Sequence, residues 1–236
     1  MAEPLVLLPG ALTDGRLFSQ AFLTLNADRA VMIAPLTGAS SVGALAQSVL
    51  DSAPRRFALA GHGLGGMVAM EMLARAPDRV SRIALIATSP LPETPNEAAA
   101  REARIVGAQA GRLDEVAREE IPPASLAPGP GRVATLQTAL DMARTLGPDV
   151  FVAQSRALQR RPDQQKTLRA CRVPALILCG AHDTLFPLKR HETMSELLHG
   201  AHLHVVENAG HLPTLEAPEE TTEALQTWLG APFVLR

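Results

Sequence analysis

Residues 57–66 read FALAGHGLGG, an apolar run that leads directly into a glycine-rich segment. The apolar residues Phe57–Ala60 predict a strand that is buried on both faces, and Leu64–Ala76 has the length and apolar content of a helix. Between them, small residues such as Gly61 and Gly63 permit a strained backbone with neighbouring backbone very close. The stretch therefore predicts a strand, a sharp turn and a helix.

The same alternation of short apolar runs and helix-length segments extends over most of the chain. It favours a parallel sheet covered by helices, which is the α/β fold class. The sheet should contain about six mainly parallel strands. The predicted strands are Pro4–Leu8, Arg29–Pro35, Phe57–Ala60, Val80–Thr88, Val173–Cys179 and His202–Glu207. The predicted helices between them are Val42–Ala53, Leu64–Ala76, Leu188–Leu198 and Pro218–Leu229.

Residues 91–169 interrupt this alternation. They are rich in Ala, Arg, Glu and Gln and contain several prolines but no strand-like run. An insertion of helices in an α/β sheet usually lies over the carboxyl ends of the strands, where ligands bind. We therefore expect a core formed by residues 1–90 and 171–236, with a helical cap of residues 91–170. The predicted helices of the cap are Asn96–Ala108, Leu113–Glu120, Gly131–Leu146, Asp149–Arg160 and a short Asp163–Ala170.

Composition excludes several classes of function. The 22 Lys and Arg against 24 Asp and Glu provide no basic surface for nucleic acid or an anionic membrane. Cys171 and Cys179 match neither a metal site nor a disulfide framework, and we expect no cofactor and no metal. The N-terminus lacks the features of a signal peptide, and proline and glycine interrupt the longest uncharged run. We expect a cytoplasmic protein that acts on a small molecule.

Two further segments carry residues that can do chemistry. Gly180-Ala181-His182-Asp183 ends the predicted strand Val173–Cys179, and Gly210-His211 follows the predicted strand His202–Glu207. Together with the glycine turn at residues 61–66, they place a turn, an acid and a histidine in this order along the chain. This is the order of the catalytic residues in α/β hydrolases.

Over essentially its whole length the chain resembles the α/β-hydrolase family. Residues 61–66 resemble the G-x-S-x-G nucleophile elbow, and LLPGALTDGRLF (residues 7–18) resembles the loop that carries the first oxyanion donor. GAHDTLFP (residues 180–187) resembles the acid segment, and NAGHLPTLEAPEE (residues 208–220) resembles the catalytic histidine loop. The predicted helical insertion lies where the family has its cap.

The resemblance implies a role for each candidate residue. Asp183 would orient His211, and His211 would act as general base and then as general acid. The backbone N–H groups of Ala11 and Leu64 would form the oxyanion hole. Position 63, where the family carries its nucleophile, is Gly63. Because glycine has no hydroxyl, thiol or carboxylate, no acyl-enzyme can form there.

Neighbouring side chains do not replace the missing nucleophile. His62 matches the variable residue of the elbow motif, and we expect it to be structural. Thr13, Thr88 and Ser89 are expected to be turn or cap residues. The remaining histidines lack a metal-ligand pattern, and we expect them at solvated or edge positions: His182, His191, His199, His202 and His204.

Three hypotheses account for Gly63. In the first, the protein is a serine carboxylesterase in which the nucleophile serine has been replaced, so that this chain is an inactive variant. In the second, the glycine is natural, and His211 with Asp183 acts as a general base in a lyase or a non-covalent hydrolase. In the third, the protein is a ligand-binding receptor on a hydrolase scaffold. The Ala, Leu, Val and Met content of residues 91–170 favours a small, largely apolar ester as substrate.

Overall fold

A parallel β-sheet organises residues 2–232, the part of the chain that the computed structural model describes. Within these residues six strands form one sheet in the order β2-β1-β3-β4-β5-β6, which confirms the predicted fold class. Residue 1 and residues 233–236 of the predicted core lie outside the described residues. The strands are β1 (Leu5–Leu8), β2 (Val31–Ile33), β3 (Phe57–His62), β4 (Val80–Ile86), β5 (Ala175–Gly180) and β6 (His202–Val206).

The strand order creates a crevice at the carboxyl ends of β1 and β3. Strand β1 pairs with β2 on one side and with β3 on the other, so the connections before and after β2 run in opposite directions. Open parallel sheets bind ligands at such a reversal because the two connecting loops diverge there. The glycine-containing segments that follow β1 and β3 both leave the sheet at this point.

Helices cover both faces of the sheet. One face packs against α2 (Val42–Ser52), α3 (Leu64–Arg75) and α8 (Leu188–Leu197), and the other packs against α1 (Ser19–Leu25) and α10 (Pro218–Gly230). Successive strand residues enter the two apolar layers in turn, which is the period of an extended strand. In residues 2–232 no helix combines the length and the apolar composition needed to cross a membrane.

Two short helices were not predicted, α1 and α9 (Pro213–Glu216). Helix α1 continues a 3₁₀ turn, Gly15–Phe18, at whose start the side chain of Asp14 accepts the N–H of Arg16. This aspartate cap was the available sequence signal. Both helices are too short to show a clear helical period.

The segment between β4 and β5, which we call the inserted segment, contains four α-helices and a short 3₁₀ turn, Pro123–Ser125. Helix α6 is interrupted at Gly147, whose φ of 82° and ψ of 172° are not helical, next to Pro148. The two predicted helices on either side of this break therefore describe it correctly. The division of the chain at residues 90 and 170 into core and cap stays a prediction. The four helices are α4 (Pro95–Gln109), α5 (Leu113–Glu120), α6 (Arg132–Gln159) and α7 (Gln165–Ala170).

Candidate active site

A sharp turn joins β3 to α3. Gly63 at its centre has a φ of 51° and a ψ of −115°, and its N–H donates to the oxygen of Ile86 at 2.9 Å. A Cβ at Gly61 would lie 2.3 Å from the oxygen of Gly65, and one at Gly65 would lie 2.2 Å from the oxygen of Leu8. A Cβ at Gly63 would meet no atom closer than 3.8 Å. The turn therefore has room for a side chain at position 63 but none at positions 61 and 65.

Asp183 and His211 form a hydrogen-bonded pair. Nδ1 of His211 lies 3.0 Å from Oδ2 of Asp183, and Oδ1 of Asp183 accepts the N–H groups of Leu185 at 2.8 Å and Phe186 at 3.0 Å. Burial of Asp183 opposes its ionisation, but the charge of His211 and these hydrogen bonds hold the pKa of Asp183 below its ordinary value. Because an ionised carboxylate only accepts hydrogen bonds, the Nδ1 of His211 carries the proton.

Glu216 holds the loop that carries His211. Its Oε2 accepts the N–H of Gly210 at 3.0 Å and of Ala127 at 2.7 Å, and its Oε1 accepts the N–H of Leu212 at 2.9 Å. Ala127 belongs to the inserted segment, so one carboxylate ties the histidine loop to α9 and to that segment. Sequence analysis did not single out Glu216. Gly210 and Leu212 lie only six and four residues from Glu216, whereas the contact with Ala127 comes from a distant part of the chain.

His62 lies directly against His211. Its Nε2 donates to the backbone oxygen of His211 at 2.7 Å, and the centres of the two rings are 4.9 Å apart. Burial, together with the charge of His211, lowers the pKa of His62 to about 3, so the ring is neutral at physiological pH. His62 also lines the site cavity, and its structural role stays a prediction.

The loop after β1 and the first turn of α3 present unpaired backbone donors. Among the described residues, the N–H groups of Ala11 and Leu64 have no hydrogen-bond acceptor. The loop is held by Gln154 of α6, whose Oε1 accepts the N–H of Leu12 at 2.9 Å and whose Nε2 donates to the oxygen of Leu36 at 2.9 Å. Free N–H groups held in place in this way can stabilise negative charge on an oxygen atom.

One cavity of about 200 Å³ is lined by Ala11, Gly63, Leu64 and His211. Asp183 is not part of its lining and forms its hydrogen bond with His211 outside it. Charged side chains share the wall of this cavity with apolar residues such as Ile121 and Leu158. The largely apolar character of the ester stays a prediction. Other apolar residues of the inserted helices pack into a separate cluster around Phe151. The charged lining residues are Glu93, Glu97, Arg101, Arg104, Glu119, Glu120, Arg161 and Arg190.

The threonine and serine residues near the site have different environments. The hydroxyl of Thr88 donates to the oxygen of Gly63 at 2.6 Å, and Oγ of Ser89 accepts the N–H of Leu91 at 3.2 Å. These are turn-stabilising contacts of the kind expected. Thr13 lines the cavity, and its buried Oγ1 has no hydrogen-bond partner among the described residues.

His191 contradicts the expectation of a solvated or edge position, whereas His204 lies partly exposed on β6, an edge strand of the sheet. His191 is fully buried because α8 turns it towards the sheet, and burial lowers the pKa of His191 to about 4. His204 lies 3.2 Å from Oε1 of Glu220, a contact that the fold of α10 against β6 creates. A larger cavity of about 860 Å³ is lined by residues of β6 and α10, among others, and Gly63 is not part of its lining. In residues 2–232 no group of three or more His, Cys, Asp or Glu side chains is arranged to hold a metal ion.

The sequence pattern of the family described as "Alpha/beta hydrolase family" matches residues 5–224. The chain belongs to the α/β hydrolase family. Among curated relatives, this hydrolase is 31% identical over 194 residues to a pimeloyl-[acyl-carrier protein] methyl ester esterase from Aromatoleum aromaticum, covering 75% of each chain. It is 28% identical over 234 residues to the protein of the same name from Chromobacterium violaceum, covering 93% of this chain and 91% of the relative.

Solved structures share the fold of this hydrolase. An esterase from Thermogutta terrifontis with malate bound superimposes with a TM-score of 0.87 at 22% identity, covering 97% of this chain and 90% of the esterase. An enol-lactonase from Burkholderia xenovorans superimposes with a TM-score of 0.86 at 20% identity, covering 98% of this chain and 92% of the lactonase. At these identities the likeness establishes the fold alone.

Proposed function

We propose that the chain is a carboxylesterase-type α/β hydrolase for small acyl esters, with the position of the nucleophile vacated at Gly63. One observation carries the proposal. Gly63 has a strained backbone and free space for a side chain, and it lines one cavity with the paired His211. The relatives named methyl ester esterases support an acyl ester as the substrate class.

Each part of the site has a role in this proposal. Asp183 holds the tautomer of His211 in which Nε2 is free to accept a proton. The N–H groups of Ala11 and Leu64 stabilise the oxyanion, and Leu64 adds the positive end of the α3 dipole. The inserted segment acts as a cap over the cavity. With glycine at position 63 the chain binds an ester without forming an acyl-enzyme, because no nucleophile is present. Loss of a triad serine costs about 10⁶-fold in turnover.

The test is a Gly63→Ser variant assayed on short- and medium-chain p-nitrophenyl esters. We expect hydrolysis at least about 10³-fold faster than in the unaltered chain. Gly63→Ala is the matched control, because it introduces the same backbone strain without a hydroxyl. A second control, Gly63→Ser combined with His211→Ala, should return to the rate of Gly63→Ala. A folded Gly63→Ser variant that is no faster than Gly63→Ala would contradict the proposal.

A second candidate function is non-covalent catalysis by His211 and Asp183. The pair remains hydrogen-bonded at 3.0 Å although no nucleophile is present, and the open space at Gly63 can admit water. In this case the unaltered chain hydrolyses ester itself, and both His211→Ala and Gly63→Ala abolish the activity, since a methyl group fills the space for water. Ester binding without any turnover in either form would instead favour a receptor.

A further inference from the structure

Two carboxylates in the wall of the site cavity are already saturated by arginines. Oε1 of Glu93 lies 2.6 Å from Nη2 of Arg101 and 3.0 Å from Nη1 of Arg161. Oε1 of Glu120 accepts Nη1 of Arg104 at 2.5 Å and Nη1 of Arg101 at 3.2 Å. These five side chains are mostly or fully buried and carry three positive charges against two negative charges. The cluster therefore has an excess of cationic hydrogen-bond donors.

Three of the arginines that line this cavity keep unused donors. Within the described residues, Arg104 engages only Nη1, Arg161 leaves Nη2 without an acceptor, and the side chain of Arg190 makes no hydrogen bond. The carboxylate nearest to Arg190 is that of Glu97, at 3.9 Å, and its other oxygen accepts the N–H of Thr94 at the start of α4. Arg104, Arg161 and Arg190 are called the arginine wall below.

The acceptors that remain in the cavity are fewer than these donors. Oε2 of Glu93 is buried without a partner in the described structure, and Glu119 is an exposed residue of the lining. Oε1 of Glu97 lies 3.9 Å from Arg190 and makes no hydrogen bond to any described residue. The wall as a whole holds four carboxylates and four guanidinium groups, but within the described chain its free N–H donors outnumber its free carboxylate oxygens. A ligand that complements the cavity must therefore bring acceptors of its own.

We propose that the substrate of this site is an ester that also carries a free carboxylate, which the arginine wall binds. The inference rests on the proposed function and specifies its substrate class. A guanidinium group presents paired N–H donors that match the two oxygens of a carboxylate, and a buried setting strengthens such a pair. The volume of about 200 Å³ is smaller than the roughly 300–1,000 Å³ of typical ligand pockets, so the ester is short.

The arginine wall lies close to the reacting centre. Cζ of Arg190 is 5.9 Å from the centre of the Phe186 ring, whose centre is 5.7 Å from that of His211. Arg104 and Arg161 approach the same cavity from the inserted segment. All these residues line the same small cavity as His211, so we choose a short probe, monomethyl glutarate, in which three methylene groups separate the carboxylate from the ester carbonyl.

The test measures binding to the unaltered chain by isothermal titration calorimetry at low salt. Monomethyl glutarate is compared with dimethyl glutarate, which has the same skeleton without the charge. We expect the monoanion to bind at least about tenfold more tightly. A second probe, 4-acetoxybutyrate, carries its carboxylate on the alcohol side, and the tighter of the two anions shows which half of the ester is recognised.

Variants identify the residues responsible. Arg104→Gln and Arg190→Gln are partly exposed positions, and each should weaken binding of monomethyl glutarate about tenfold or more while leaving dimethyl glutarate unchanged. Arg161 is more deeply buried, so Arg161→Lys is used there to keep the charge that faces Glu93. Arg144→Gln, an exposed position on α6 outside the cavity, is the matched control and should change neither affinity.

Two results would overturn the inference. One is equal or undetectable binding of the anionic and neutral esters, and the other is anion binding that survives in both glutamine variants. The readout does not require turnover. An inactive Gly63→Ser variant with intact, arginine-dependent anion binding would refute the esterase proposal alone. If the Gly63→Ser variant hydrolyses neutral esters but the unaltered chain binds monomethyl and dimethyl glutarate equally, only the carboxylate site is refuted.

Discussion

Replacing single glycines of the turn by alanine tests whether position 63 can hold a side chain. The change Gly63→Ala adds a Cβ that meets nothing closer than 3.8 Å, so its cost comes from the backbone alone. A non-glycine residue in a sparsely populated conformation such as φ 51° costs about 1–3 kcal/mol. The lower entropy of the unfolded alanine chain offsets about 0.4–1 kcal/mol of this cost. We expect a net loss of about 1–2 kcal/mol in the free energy of unfolding.

Gly65→Ala should behave differently although it lies only two residues away. Its Cβ would lie 2.2 Å from the oxygen of Leu8 and 2.6 Å from the oxygen of Pro9, where ordinary contacts begin at 3.4 Å. These atoms belong to backbone, so α3 and the end of β1 would have to separate by about 1 Å. Overpacking of this kind costs about 3 kcal/mol or more. Gly111→Ala, with a φ of 82° and no atom within 4 Å, isolates the cost of positive φ.

Urea denaturation followed by the fluorescence of the single tryptophan, Trp228, measures all three variants. The midpoints should fall slightly and by similar amounts for Gly63→Ala and Gly111→Ala, and much further for Gly65→Ala. Failure of Gly65→Ala to fold would agree with this order. A loss for Gly63→Ala that equals or exceeds the loss for Gly65→Ala would refute the reasoning. The turn would then have no place for a nucleophile.

Three further predictions concern the buried histidines His62 and His191 and the loop carboxylate of Glu216. His62 and His191 are neutral in the folded protein with pKa values lowered to about 3 and about 4, so the unfolded chain binds more protons below pH 6.5. The contribution of the two histidines to the free energy of unfolding is complete above that pH and falls as the pH drops, by about 2 kcal/mol per histidine at pH 5. Denaturation at pH 7.5 and at pH 5 will measure this difference. His191→Leu removes two unpaired buried nitrogens, so it should raise the denaturation midpoint at pH 7.5 and remove half of the pH effect; an unchanged pH effect would contradict this. Glu216→Gln should cost about 1–3 kcal/mol of unfolding free energy and slow ester hydrolysis in a Gly63→Ser background, whereas unchanged values would show that the histidine loop does not need this carboxylate.

Much of the fold could be predicted from local patterns. The strands are continuous apolar runs because both faces of a parallel sheet are covered, and such runs are visible without any knowledge of contacts. Pro148 next to Gly147 marked the break in α6 for a similarly local reason, since proline cannot continue a helix. The short helix α1 escaped because seven residues are too few to display a helical period.

The sequence by itself determined the class of fold, the order of turn, acid and histidine, and the absence of a nucleophile at Gly63. These features depend on residue type and on spacing along one chain. Only the tertiary structure decided which side chains face the cavity. The arginine wall consists of Arg104, Arg161 and Arg190, which are far apart in sequence, while nearby apolar residues pack into a separate cluster. Composition alone does not show which side of a helix faces the cavity and which faces the apolar cluster, because packing against distant elements sets the orientation of the helix.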